Sequence, residues 1–323
     1  MPPFLGLWTR IQGFRREQLA AALQDRSVVR ATLMRATLHL LGASDYAAFR
    51  PLLQPVMQRA VRALGDRAEG LDAERVLAAA RSLLLERPYG FSELRRLLQE
   101  QFPEADDRAL GYLVRTHLPL VMVPTAAPWS FPSVADFTLA DTWLGQAPAG
   151  AGSAEQLVRR YLAAFGPASV ADAQTWSGLQ GLAPVFEALR PQLLVFTGET
   201  GRRELFDLPG APRPEADAPA PARLLPEFDN LVLAHADRTR FVADAHRAAL
   251  VTRNLRVRAT FLWDGMVAGT WELERKRASA TLVLHPFGAL RARAVKELSS
   301  EAEALVRFAA ADATSFAVEL RPA

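Results

Sequence analysis

The sequence predicts an α+β protein of several domains, and three observations carry that reading. A pattern of helix, turn, helix, helix and strand pair recurs through the first two thirds of the chain, and the hydrophobic period then changes from helical to alternating. Two segments of linker composition, 146–152 and the proline-rich 209–221, separate the blocks. With 323 residues, half of them hydrophobic, the chain can bury substantial cores.

The first block, 1–66, opens with helices over 3–11 and 15–24 and continues into a strand over 31–41. No helix precedes Pro3, so this unit reads as incomplete by one element. A long helix over 45–64, capped by Ser44, follows. In the second block, 67–147, a helix over 73–86 leads through a Tyr89-Gly90 turn to helices over 91–101 and 104–118. An apolar strand over 120–124 comes next, with a return strand around 129–131. The third block, 152–208, repeats the plan with helices over 154–165, 169–177 and 182–189 and a hairpin of 193–196 with 204–207. Gly198-Glu199-Thr200-Gly201-Arg202-Arg203 forms its tip. Three short helices closed by a hairpin is the plan of a winged helix-turn-helix, in which the third helix can enter a major groove while the hairpin touches the backbone. The expectation is therefore tandem winged helix-turn-helix units followed by a β-rich C-terminal domain.

That last domain, 222–323, contains strands over 256–263 and 266–274 on either side of Asp264-Gly265, a strong short hairpin signal. A two-residue turn pairs Trp263 with Met266, and counting outward one residue on each strand places Arg258 opposite Trp271. A strand over 280–284 follows. Ser300-Glu301-Ala302-Glu303 has the letters of a capping box opening a helix that runs to 310, and 316–320 alternates as a closing strand. An α+β domain results, with a small barrel as one form it can take.

There is no cysteine, which rules out disulfides and cysteine-ligated zinc and fits a reducing compartment. The N-terminus lacks a basic segment followed by a long apolar run, and no stretch approaches the length of a membrane span, so a cytoplasmic protein is expected. The net charge is +3, carried almost wholly by arginine, since lysine occurs only at Lys276 and Lys296. Arginine forks suit phosphate and guanine edges, and a GC-rich coding sequence produces the same bias.

On the expected strand over 31–41, Arg35, Thr37 and His39 share one face and Met34, Ala36 and Leu38 the other. The polar face suits phosphate contact, and an ordinary solvated face fits the pattern equally. On the helix over 104–118, Leu110, Leu113, Val114 and His117 recur at core spacing, which leaves Arg108, Tyr112 and Arg115 as the outer stripe. Two arginines around a tyrosine can straddle a DNA backbone, and any surface helix also carries charge. The matching helix of the third block exposes Glu187, so the hairpin tip with Arg202 and Arg203 is its better DNA candidate. Segment 227–238 gathers acidic residues, His235 and Arg238; Arg238 joins the candidate DNA contacts, and the spacing matches no metal-ligand pattern. Nucleophile-elbow, phosphate-loop and dinucleotide fingerprints are absent.

Four stretches carry a resemblance. Leu7-Trp8-Thr9-Arg10-Ile11, Val29-Arg30-Ala31-Thr32-Leu33-Met34-Arg35-Ala36-Thr37-Leu38-His39, Leu225-Pro226-Glu227-Phe228-Asp229 and Asp264-Gly265-Met266-Val267-Ala268-Gly269-Thr270-Trp271 resemble the hallmark stretches of the winged-helix DNA-binding family that contains the AlkZ-type DNA glycosylases. The similarity runs from Pro3 to the end. It implies tandem winged helices and a β-domain around a concave cleft that holds double-stranded DNA, and members that excise alkylated bases and unhook interstrand crosslinks. No metal or organic cofactor is implied, and a monomer is expected. The resemblance also implies a catalytic Gln-x-Gln or Gln-x-Asp motif a few residues before Pro3-Phe4-Leu5, a position this chain does not contain. Gln99-Glu100-Gln101 has the letters but ends a helix of the second block, and it reads as a coincidence. On that view catalysis awaits the missing segment, no residue of the chain is a catalytic candidate, and a non-catalytic regulator is the alternative. A helix over 3–11 without its neighbour should then expose some of Phe4, Leu5, Leu7, Trp8 and Ile11.

Overall fold

The computed structural model describes residues 1–148, 152–198, 201 and 203–321, and its fold is α+β. The chain forms two compact units, Met1–Arg15 with Gly210–Ala323, and Arg16–Pro209. The first helix, α1 (Pro2–Trp8), belongs with the C-terminal residues. It has proline at its first turn, where a missing N–H costs nothing. Phe4 and Leu5 are 1% and 3% exposed, and Leu5 lies in one core with Leu224, Phe261, Trp271 and Leu305. Each such side chain contributes about 1.5–3 kcal/mol by leaving water. The expectation that this helix lacks a partner is thus corrected for Phe4 and Leu5: residues far along the chain supply one. Leu7 and Trp8 are half-buried, and Ile11 stays exposed.

In the second unit, α2 (Arg16–Gln24) leads into a hairpin of β1 (Val28–Thr32) and β2 (Leu38–Gly42). The single strand expected over 31–41 is broken at 34–36, where Arg35 and Ala36 take φ of +54° and +56° and turn the chain back. Next come α3 (Ala43–Leu52) and α4 (Gln54–Arg62), in place of one long helix. Pro55 has no N–H to continue the ladder from Pro51, so the helix restarts after Leu53; the first cap is Gly42 rather than Ser44. Asp72 caps α5 (Ala73–Glu86); β3 (Tyr89–Gly90) and α6 (Phe91–Gln101) follow, and Asp106 caps α7 (Asp107–His117). Tyr89-Gly90 is therefore a short strand rather than a turn.

After β4 (Leu120–Met122), the return strand is β5 (Asp136–Leu139), not 129–131. Residues 125–130 close a loop, with Thr125 N bonded to Ser130 O and Ser130 at φ +56°, which leaves no extended backbone there. These strands form one sheet in the order β2-β1-β4-β5-β3, so the expected first and second blocks share it. A short α8 (Ala140–Leu144) follows. Ser153 with Gln156 and Ser169 with Asp172 make the capping boxes of α9 (Ala154–Phe165) and α10 (Val170–Ser177). Then α11 (Ala183–Leu189) and the hairpin of β6 (Leu194–Thr197) with β7 (Glu204–Asp207) complete the unit.

The rest of the first unit is a five-stranded sheet ordered β12-β11-β10-β9-β8, with two open edges rather than a closed barrel. Its members are β8 (Arg223–Leu225), β9 (Thr260–Trp263), β10 (Met266–Lys276), β11 (Ser279–Pro286) and β12 (Ser315–Leu320). Between β11 and β12, which run parallel, α12 (Ala292–Ala309) makes the crossover that parallel pairing requires. It buries Ala294, Leu298, Ala302, Leu305 and Val306, so the helical period starts before Ser300 and the expected capping box there is helix interior. Trp263 pairs with Met266 as expected, but the register shifts between Val267 and Gly269. Trp271 N therefore bonds Ala259 O, not a residue 258 partner, and the Arg258–Trp271 pairing is overturned. A methyl on Gly269 would meet Phe261 Cζ at 2.3 Å and His285 O at 2.4 Å, so the bulge lets backbone approach an aromatic ring closely.

Candidate nucleic-acid interface

The site builds outward from the turn at 34–36. Arg35 Nη1 donates to Trp176 O at the end of α10, and Arg59 Nη2 on α4 donates to Gly178 O two residues on. Gly178 has φ +80°, and a Cβ there would lie 3.3 Å from Arg35 N, so glycine is required by both conformation and space. From α7, Arg115 Nη2 reaches Ala36 O at 3.5 Å. Its guanidinium carbon lies 5.3 Å from the Tyr112 ring centre, and its buried Nε has no hydrogen-bond partner. Among the described residues, no ion pair engages Arg59 or Arg115.

Thr37 and His39 fasten the same turn rather than face solvent together. Thr37 Oγ1 donates to Met34 O at 3.1 Å, and His39 Nε2 lies 3.0 Å from Thr37 Oγ1 and 3.1 Å from Met34 O. His39 is 8% exposed. Burial pushes its imidazole down to about 4, with the Arg35 charge acting the same way, so it is neutral at pH 7. As a surface phosphate contact His39 is corrected: the hairpin carries it into the interior.

Other expected contacts are placed separately. Arg108 is exposed at the first turn of α7, about two helical turns from Arg115. Leu110, Leu113 and Val114 are buried as expected, while His117 is half-buried and Thr116 fills the interior position. Arg203 is exposed beside β7, its carbonyl accepting from Gly198 N at 2.7 Å, and Arg202 lies outside the described residues. Arg238 belongs to the other unit. It is half-buried, and desolvation followed by the Arg247 charge lowers its pKa. Gln99 donates to the carbonyls of Phe102, Pro103 and Ala105 at 3.2, 2.9 and 2.9 Å, a structural use at the end of α6.

Sequence reasoning missed several residues whose partners are distant in the chain. Arg50 is 3% exposed and donates from Nη2 to Thr116 O (2.6 Å) and His117 O (3.3 Å), where the C-terminus of α7 presents partial negative charge. Arg10 grips Asp229 through bonds of 2.9 and 2.7 Å across 219 residues. Arg10 and Asp229 lie in two of the resemblance stretches, but only the structure gives their role. Among the described residues, no group of three His, Cys, Asp or Glu is placed to hold a metal ion, and no helix is long and apolar enough to cross a membrane.

No curated protein matches the sequence. The family model described as DNA glycosylase AlkZ-like matches residues 1–308. Among solved structures, the Streptomyces sahachiroi DNA glycosylase AlkZ is similar, with a TM-score of 0.72 and 21% sequence identity over 99% of this chain and 89% of that chain. At that identity the likeness is one of fold. The match to the family model covers nearly the whole chain, and the chain belongs to the AlkZ-like DNA glycosylase family.

Proposed function

We propose that this protein binds double-stranded DNA and serves repair of the glycosylase type, acting on bulky alkylated bases and interstrand crosslinks. The observation that carries the reading is the family match over residues 1–308. Its physical support is the arginine cluster at 34–36, where Arg59 and Arg115 are anchored by carbonyls and keep their charge for a phosphate backbone. The segments 67–147 and 152–208 act as winged helix-turn-helix units. In the reaction of this class the bond from C1′ to the base nitrogen breaks, the base leaves with the electron pair, and water adds to C1′. The sugar passes through an oxocarbenium-like state. No residue is assigned as catalytic; the residues named position DNA.

The test is a gel shift over a range of salt, paired with chromatography of bases released from alkylated duplex. Affinity is expected to fall log-linearly with salt, and alkylated base is expected in the supernatant. Salt-dependent binding without base release would replace excision by a non-catalytic role in binding DNA. Absence of binding would end the reading.

A further inference from the structure

Among the described residues other than glycine, eight adopt positive φ, and just two of these carry large apolar side chains: Phe228 at +58° and Leu255 at +59°. Both side chains face solvent, Phe228 at 49% exposure and Leu255 at 79%. L residues rarely adopt this backbone, and a large apolar group in water gains nothing from it, so neither fold stability nor local preference explains the pair.

The two loops are tied together. Phe228 N donates to Val257 O at 3.3 Å, and Arg256 Nη2 bonds Glu227 at 2.7 and 3.0 Å. Leu255 stands near the apex of a tight loop closed by a bridge between Val251 and Val257. Thr252 N donates to Arg256 O at 2.9 Å, Leu255 N to Thr252 O at 2.9 Å, and Arg256 N to Thr252 Oγ1 at 3.1 Å. The leucine is thus held out by a braced loop.

Its setting is cationic. Residues 238–258 contain six arginines; Arg247 pairs with Asp244 and Arg256 with Glu227, and among the described residues no ion pair engages Arg238, Arg240, Arg253 or Arg258. Arg253 and Arg258 are exposed on either side of Leu255, and Arg240 is exposed farther back. An apolar tip alone would suit many partners. Ringed by arginine, it suits a polyanion with an apolar interior, and duplex DNA meets both conditions, with phosphates outside and stacked bases within.

We propose that Leu255 and Phe228 are an apolar wedge that enters a base step of duplex DNA, while Arg240, Arg253 and Arg258 hold the neighbouring phosphates. This rests on the DNA-binding reading above and adds to it a way of opening the stack, which chemistry on a base requires. The positive φ at both positions is the backbone's means of aiming the side chains outward.

The experiment uses the full chain and a duplex carrying 2-aminopurine, whose fluorescence rises when it unstacks. Binding is read by anisotropy on the same duplex. The wild type should raise the fluorescence at saturation. Leu255→Ala and Phe228→Ala should lose most of that rise while shifting Kd by no more than about threefold, because the phosphate contacts remain. Leu255→Met should keep it. Arg253→Ala should weaken binding and lower the salt slope by about one unit, leaving the rise at saturation intact. Fluorescence unchanged in both alanine variants, with binding intact, would overturn the wedge and spare the DNA-binding reading. A wild type that binds no duplex would overturn both. Equal loss of binding and signal in Leu255→Ala would also reject the wedge, since it would make Leu255 a general contact.

Discussion

In the unit made of residues 1–15 and 210–323, an exposed arginine meets a buried carboxylate: Arg10 holds Asp229, whose side chain is 4% exposed. In the unit made of 16–209, Arg50, Arg59 and Arg115 end instead on backbone carbonyls. The first arrangement cancels charge and fixes α1 to its core. The second fixes helices and turns equally well but leaves each formal charge in place, so the field of that unit stays open to an anion. An arginine can therefore be structural and still contribute to attracting DNA, provided its acceptors are dipoles and not ions.

The largest effect expected from this contrast is in Arg10→Ala. It leaves a buried carboxylate with the Leu231 N–H bond at 2.9 Å, and because Arg10 itself is half-exposed it should cost about 2–3 kcal/mol in denaturant unfolding. The double variant Arg10→Ala/Asp229→Ala should cost less than the single, because the stranded charge goes with its partner. A cost near zero for the single variant would mean the pair cancels nothing that matters.

His39 measures a different condition, a titratable group that burial and the neighbouring Arg35 both hold neutral. Its folded pKa of about 4 lies below the unfolded 6.5, so between those values the unfolded chain takes up a proton that the folded chain refuses. This contribution to stability is present above pH 6.5 and is lost as pH falls toward 4, about 3 kcal/mol in all. Unfolding free energies for wild type and His39→Gln at several pH values should converge over that window. Parallel curves would place His39 in a more open setting than the hairpin gives it.

How far the sequence revealed this arrangement depended on whether each cause was local. The helices over 154–165 and 169–177 announced themselves through their apolar period, which a short stretch carries whole, whereas the caps read at Ser44 and at 300–303 prove to be helix interior. The turn at 34–36 announced nothing, since Arg35 and Ala36 take left-handed backbone without the glycine or asparagine that usually marks it. Asp264-Gly265 fixed the hairpin turn, yet the register failed four residues later at a bulge dictated by Phe261 under Gly269. Among the site residues, Arg35 and Arg115 were visible as residue types in a pattern. Arg59 was not, because its acceptor at Gly178 lies 119 residues away and only packing brings them together.

The smallest effect in stability is also the most direct test of the contrast, and it is read in binding. Arg81 on α5 is paired with Asp141 at 2.6 Å, both partly exposed, whereas Arg115 is half-buried and bound to a carbonyl. Surface ion pairs of the first kind contribute about 0–1 kcal/mol, so Arg81→Ala should leave stability nearly unchanged. It should also leave the salt dependence of duplex binding unchanged, because a charge already matched by a carboxylate releases few counterions. Arg115→Ala removes an unmatched charge, and it should lower the slope of log affinity against log salt by about one unit, with similar weakening on every sequence. Gel shifts at four or five salt concentrations suffice. Equal slopes for the two variants would show that the acceptor of an arginine does not decide its use in binding, and a loss confined to one sequence would make Arg115 a reader of bases.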